Sequence, residues 1–123
     1  MNTHEKINYL EFPAKDMELT KAFFGEVFGW TFVDYGPDYV ACENAGIDVG
    51  FFKSAKVASS ESGSVLIVFY SDNLEETFEK VSQAKGKIVK PTFSFPGGRR
   101  FHFADPNGNE FAVWAEPEES NDS

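Results

Sequence analysis

Apolar residues recur along this chain at two alternating periods. Short runs repeat every second position and two longer runs every third or fourth, and that order of patterns is written twice. Residues 7–12 alternate, with Tyr9 and Glu11 on one face and Asn8, Leu10 and Phe12 on the other, and Pro13 is expected to end the strand. Asp16 suits a helix N-cap. From about Met17, the residues Leu19, Ala22, Phe23, Val27 and Phe28 share a helical face until Gly29 stops the helix. Residues 30–35, 39–43 and 47–52 return to strand spacing, separated by Gly36-Pro37-Asp38 and Asn44-Ala45-Gly46. After a stretch rich in Ser, Ala and Lys, residues 65–70 form another alternating run. Asn73 and Glu76 make a capping box for a helix carrying Leu74, Phe78, Val81 and Ala84, which Gly86 is expected to close. Residues 87–90, 100–104 and 110–114 complete the second set.

An offset of about 57 residues superimposes Asp16-Met17-Glu18 on Asn73-Leu74-Glu75, so the chain reads as a β-α-β-β-β unit written twice. The predicted fold class is α+β, with module one about 7–53, a linker over 54–63, module two about 64–115 and an acidic tail over 116–123, expected to fray. The final hairpin is the most informative stretch. Asp105-Pro106-Asn107-Gly108-Asn109 joins its two strands, with Pro106 presetting the turn and Gly108 free to take a positive φ. Phe101, Phe103, Phe111 and Val113 form one apolar face, and Arg100, His102, Glu110, Ala112 and Trp114 point the other way. Such a mixed face either lines a pocket or is a solvated exterior.

Composition narrows the possibilities. The 123 residues suffice for one domain, and 41% hydrophobic content with 14 phenylalanines predicts an aromatic core. A net charge of −9 repels phosphate backbones and anionic membranes, which argues against nucleic acid and membrane partners. The single cysteine, Cys42, allows no internal disulfide and no Cys-x-x-Cys motif, and it reads as a core thiol in a strand. Without an apolar leader or a run approaching roughly 18 apolar residues, the expected location is the cytoplasm.

The segment over residues 11–30, ending Phe28-Gly29-Trp30, together with Phe103-Ala104-Asp105-Pro106-Asn107-Gly108-Asn109-Glu110-Phe111, resembles the vicinal oxygen chelate superfamily, the glyoxalase, bleomycin-resistance and extradiol-dioxygenase group. The resemblance spans residues 7–115. It implies two paired modules forming a curved mixed sheet around a cup, usual assembly as a homodimer and, in the enzymes, a divalent metal at the base of the cup. Carried over by motif, the metal-ligand positions fall on Tyr9, about Gly50, Leu66 and Ala112, which supply no chelating set, so no metal is expected. The alternative places a divalent ion near Glu11, Asp48 and Glu110, two residues from three of those positions.

The expected ligand-binding residues are Tyr9, Glu11, Leu66, Tyr70, Arg100, His102, Ala112 and Trp114, with no catalytic residue assigned. Arg100 is in phase with His102, and its neighbour Arg99 points away. Within a cup Arg100 either pairs with Glu11 or Glu110 or holds an anionic ligand group. Trp30, Tyr39, Phe52, Tyr70 and Trp114 either form an aromatic wall or belong to the core. The functional expectation is a metal-free protein that binds a small organic molecule. The alternative is a glyoxalase-like lyase or isomerase using carboxylate-held metal.

Overall fold

The computed structural model describes residues 2–118. Strand β1 (Tyr9–Ala14), helix α1 (Met17–Phe28) and strands β2 (Phe32–Asp34), β3 (Tyr39–Cys42) and β4 (Asp48–Lys53) make the first unit. Strand β5 (Ile67–Tyr70), helix α2 (Leu74–Gln83) and strands β6 (Lys87–Phe95), β7 (Gly98–Ala104) and β8 (Glu110–Ala115) make the second. Each unit contributes one four-stranded mixed sheet, ordered β1-β4-β3-β2 and β5-β8-β7-β6. In both, the first strand pairs parallel with the last and the remaining pairs are antiparallel. The sequence repeat is thus a repeat of topology.

Both helices start where expected. The Asp16 side chain accepts from the Leu19 N–H, and Asn73 accepts from Glu76, which is one half of the capping box. The other half is absent, because the Asn73 N–H goes to the Ser71 hydroxyl instead. Gly29 ends α1 at φ 70°. At the end of α2 the left-handed residue is Lys85, at φ 74°, and not Gly86. Gly86 is needed for space: a Cβ there would lie 2.7 Å from Val81 Cγ1 and 2.8 Å from Phe23 Cε1.

Two strands outrun their prolines. β1 continues through Pro13 to Ala14, and β6 continues through Pro91 to Phe95. Each is an edge strand, so a missing N–H removes no necessary ladder bond, and register shifts between Ile88 and Phe93 absorb the irregularity in β6. Of the acidic tail expected to fray, residues 119–123 lie outside the described residues.

The core lies between the inner faces of the sheets and the helices. Phe12, Val49 and Phe51 of the first sheet meet Phe23 and Phe24 of α1 and Phe101, Phe103, Phe111 and Val113 of the second, all buried. Phe12 and Phe111 bring the two sheets together with ring centroids 5.2 Å apart. The hairpin phenylalanines therefore take the side expected of them. Cys42 is buried and free, and Trp30 is core, stacked on Phe24 at 4.6 Å. Among the described residues no helix is long and apolar enough to cross a membrane.

Candidate functional site

Alternation forces the side chains left over from the core onto the outer faces of the sheets, where two polar groups assemble. On the first sheet, register sets Tyr9 opposite Asp48 and Glu11 opposite Gly50. Gly50 leaves a gap that the phenols fill, since a Cβ there would lie 1.9 Å from the Tyr39 hydroxyl and 2.9 Å from that of Tyr9. The two hydroxyls are 2.6 Å apart, and Tyr39 donates to Glu11 Oε2 at 2.8 Å. With that proton committed to Glu11, the Tyr9 hydroxyl is the donor to Tyr39. Burial, followed by the bonds to Tyr9 and Glu11, pushes the Tyr39 phenol well above its usual range.

The second sheet carries Arg100, His102, Glu110, Ala112 and Trp114 on its outer face. Arg100 Nε donates to His102 Nε2 at 3.2 Å, which fixes the imidazole proton on Nδ1, 3.2 Å from Glu110 Oε2. His102 is neutral in this arrangement. Its pKa is lowered by burial and by the Arg100 and Lys90 charges, against the opposing pull of Glu110. Glu110 Oε1 accepts from the Ser60 N–H at 2.8 Å and the Ser60 hydroxyl at 2.7 Å. Burial raises the Glu110 pKa, but these bonds and the one to His102 outweigh it and hold the carboxyl below its ordinary value.

Arg100 does not pair with Glu11 or Glu110. Glu110 is already engaged on its own face, and Glu11 stands on the other sheet. The guanidinium carbon instead sits 6.0 Å from the Phe93 ring centroid and 5.8 Å from that of Phe95. Arg99 turns to the opposite side and pairs with Glu75 of α2, as the alternation requires.

The eight expected residues therefore divide between the sheets. Tyr9 and Glu11 are exposed on the first. On the second, Tyr70 is exposed and packs edge-on against half-buried Trp114 at 5.1 Å, while Arg100 and Leu66 are half-buried and His102 and Ala112 are buried. Leu66 precedes β5 by one residue. No hydrogen bond or ion pair joins the two groups among the described residues. Sequence reasoning missed Ser60, Phe93 and Phe95. The alternation Phe93-Ser94-Phe95 was a usable signal, but Ser60 in a structureless-looking linker offered none.

The turn between β7 and β8 joins the modules. Asn107 Oδ1 accepts from the Lys15 and Asp16 N–H groups at 3.0 and 3.1 Å, and its Nδ2 donates to Thr20 Oγ1 at 2.7 Å. Asn109 donates to the Pro13 carbonyl and accepts from the Ala58 N–H. Asp105 organises the turn by accepting from the N–H groups of both asparagines. Burial pushes its carboxyl up to about 6 in spite of those donors.

Residues 6–113 match the family model described as the Glyoxalase/Bleomycin resistance protein/Dioxygenase superfamily. The chain belongs to this superfamily. Among similar solved structures is a glyoxalase-related enzyme from Fulvimarina pelagi, with TM-score 0.77 and 18% identity over 97% of this chain and 95% of that one. Another is a genomically encoded fosfomycin resistance protein from Listeria monocytogenes, with TM-score 0.76 and 18% identity over 92% and 94%. A superfamily enzyme from Burkholderia phytofirmans gives TM-score 0.73 and 16% identity over 89% and 97%. At these identities the likeness shows the superfamily fold alone. No curated protein matches the sequence.

Proposed function

We propose that the chain is a small-molecule-binding protein of the glyoxalase/bleomycin-resistance type that works without a resident divalent metal, with Arg100 anchoring an anionic or carbonyl oxygen. The observation that carries this reading is the state of the Arg100 guanidinium. Its Nε is fixed by His102, the rings of Phe93 and Phe95 flank it, and its two Nη groups make no hydrogen bond among the described residues. Two donors held in a planar fork beside aromatic carbon suit a carboxylate, phosphonate or carbonyl on a partly apolar molecule.

The donor set does not suit a divalent ion. At the positions to which the superfamily resemblance points, Gly50, Leu66 and Ala112 have no side-chain donor, and the Tyr9 phenol is tied into the chain to Tyr39 and Glu11. Glu110 is already engaged by Ser60 and His102. Two measurements test the reading. Elemental analysis of protein purified without chelator or affinity tag is expected to find no stoichiometric transition metal. One tightly held ion per chain, lost in Glu110→Ala, overturns the metal-free reading in favour of a carboxylate site. For a ligand found by thermal-shift screening, Arg100→Ala is expected to weaken binding by about 2 kcal/mol, as for a charge-assisted contact, with the melting temperature of the free protein nearly unchanged. A destabilised free protein with undiminished ligand affinity makes the arginine structural.

A further inference from the structure

A hollow of about 270 Å³ opens on the outer face of the first sheet, and its walls have the opposite chemistry from the Arg100 group. Tyr9, Tyr35 and Tyr39 line it together with Glu43 and Asp48, and no lysine or arginine does. Local structure explains why three phenols converge there. Tyr35 and Tyr39 flank the turn between β2 and β3, where the Tyr35 N–H donates to the Tyr39 carbonyl, and their rings meet edge-on at 6.4 Å. Tyr9 enters from β1, on the far side of β4, and the absent side chain of Gly50 lets its hydroxyl reach that of Tyr39.

The Tyr9 and Tyr39 rings are thus held by their hydroxyls, while Tyr35, 63% exposed, meets Tyr39 edge-on. Neither Glu43 nor Asp48 makes an ion pair or a side-chain hydrogen bond among the described residues. Aromatic faces carry negative quadrupole density, and two uncompensated carboxylates beside them reinforce the same sign in a chain of net charge −9. An anion is repelled from such a hollow. A small uncharged molecule gains no charge attraction from the carboxylates, and a divalent metal finds only those two carboxylates among the residues that line the hollow.

We infer that this hollow is a binding subsite for an organic ammonium group, with Tyr9, Tyr35 and Tyr39 as its cage and Asp48 and Glu43 as its counter-charge. It extends the reading given under Proposed function to a cationic group, and it stands on different residues from the Arg100 anchor.

Isothermal titration of the full chain with choline in low-salt buffer tests it, with 3,3-dimethylbutan-1-ol as the neutral isostere of the same shape. Saturable choline binding is expected, at least about tenfold tighter than the isostere and weakening as salt is added. Tyr35→Ala is expected to reduce choline affinity by about fivefold or more without moving the melting temperature, because the residue is exposed. Asp48→Asn should also weaken it, and Arg100→Ala should leave it unchanged. Equal affinity for the isostere, no saturable binding, or indifference to Tyr35→Ala overturns the assignment. Loss of choline binding in Arg100→Ala would show one shared site in place of two. Failure of the oxyanion anchor alone leaves the choline result intact, so the two proposals fail separately.

Discussion

His102 shows how far a single residue can be read in advance. Its phase with Arg100 is visible in the alternation of the hairpin, and so is the opposite placement of Arg99. Its protonation state is not, because that depends on Arg100 Nε approaching one ring nitrogen while Glu110 takes the other. Glu110 is in turn held by Ser60, 50 residues away in sequence. The groups facing the imidazole are Arg100, Lys90, Glu110 and the Phe93 ring. Because burial lowers its pKa in the fold, the unfolded chain takes up a proton on His102 before the folded chain does. The stability due to the neutral imidazole is therefore fully present above its ordinary value near 6.5 and lost as pH falls below it toward the lowered folded value. Urea unfolding at pH 7.5 and 5.5 should show a loss on acidification in the wild type that is smaller in His102→Gln. Asp105 contributes in the opposite direction as its carboxyl, near 6 in the fold, becomes protonated, so the comparison between wild type and variant isolates the histidine. An equal loss in both proteins would remove His102 from the account.

Among the elements, the hairpin turn is legible in kind and not in purpose. Pro106 and Gly108 announce a reversal, and Gly108 duly takes φ 96°. Nothing local announces that the Asn107 and Asn109 side chains leave the turn to bind the β1–α1 junction, since Thr20 and Pro13 are 87 and 96 positions away. The linker and β6 fail to be legible for related reasons. Ala58 and Ser60 are ordered by bonds to the hairpin, and Pro91 is tolerated because β6 lies at an edge. The turn acts as a clasp between modules, and that makes it costly to damage. Asn107→Ala strands two backbone N–H groups and removes the donor to Thr20 Oγ1, whose own proton still goes to the Asp16 carbonyl, and should cost about 3 kcal/mol in urea unfolding. Thr20→Val removes one of the three partners and should cost about 1 kcal/mol. If the asparagine variant loses no more than the threonine variant, the clasp contributes little to stability.

For the whole molecule, the doubled β-α-β-β-β order is legible because each module repeats the same periods, and the matching strand orders of the two sheets follow from it. The apolar inner faces are covered within one chain. Outside them the surface carries Ile7 and Val65, each 81% exposed, with Tyr70 at 52%, Val68 at 41% and Phe52 at 39%. Strands β1 and β5 each hydrogen-bond to a neighbour on one side only. Apolar side chains beside open strand edges are what a second copy of the chain would cover, and closed symmetric pairing is the commonest way to do so. Light scattering at micromolar concentration is accordingly expected to report about twice the mass of one chain. Val68 faces outward opposite Ala112, so Val68→Lys adds a charge that is harmless in a monomer and costly when covered. That variant should scatter as a single chain and keep the wild-type circular dichroism spectrum. A wild-type protein that remains a single chain at these concentrations would mean that the exposed apolar residues serve no self-association, and the outer faces would then have to bind their ligands unassisted.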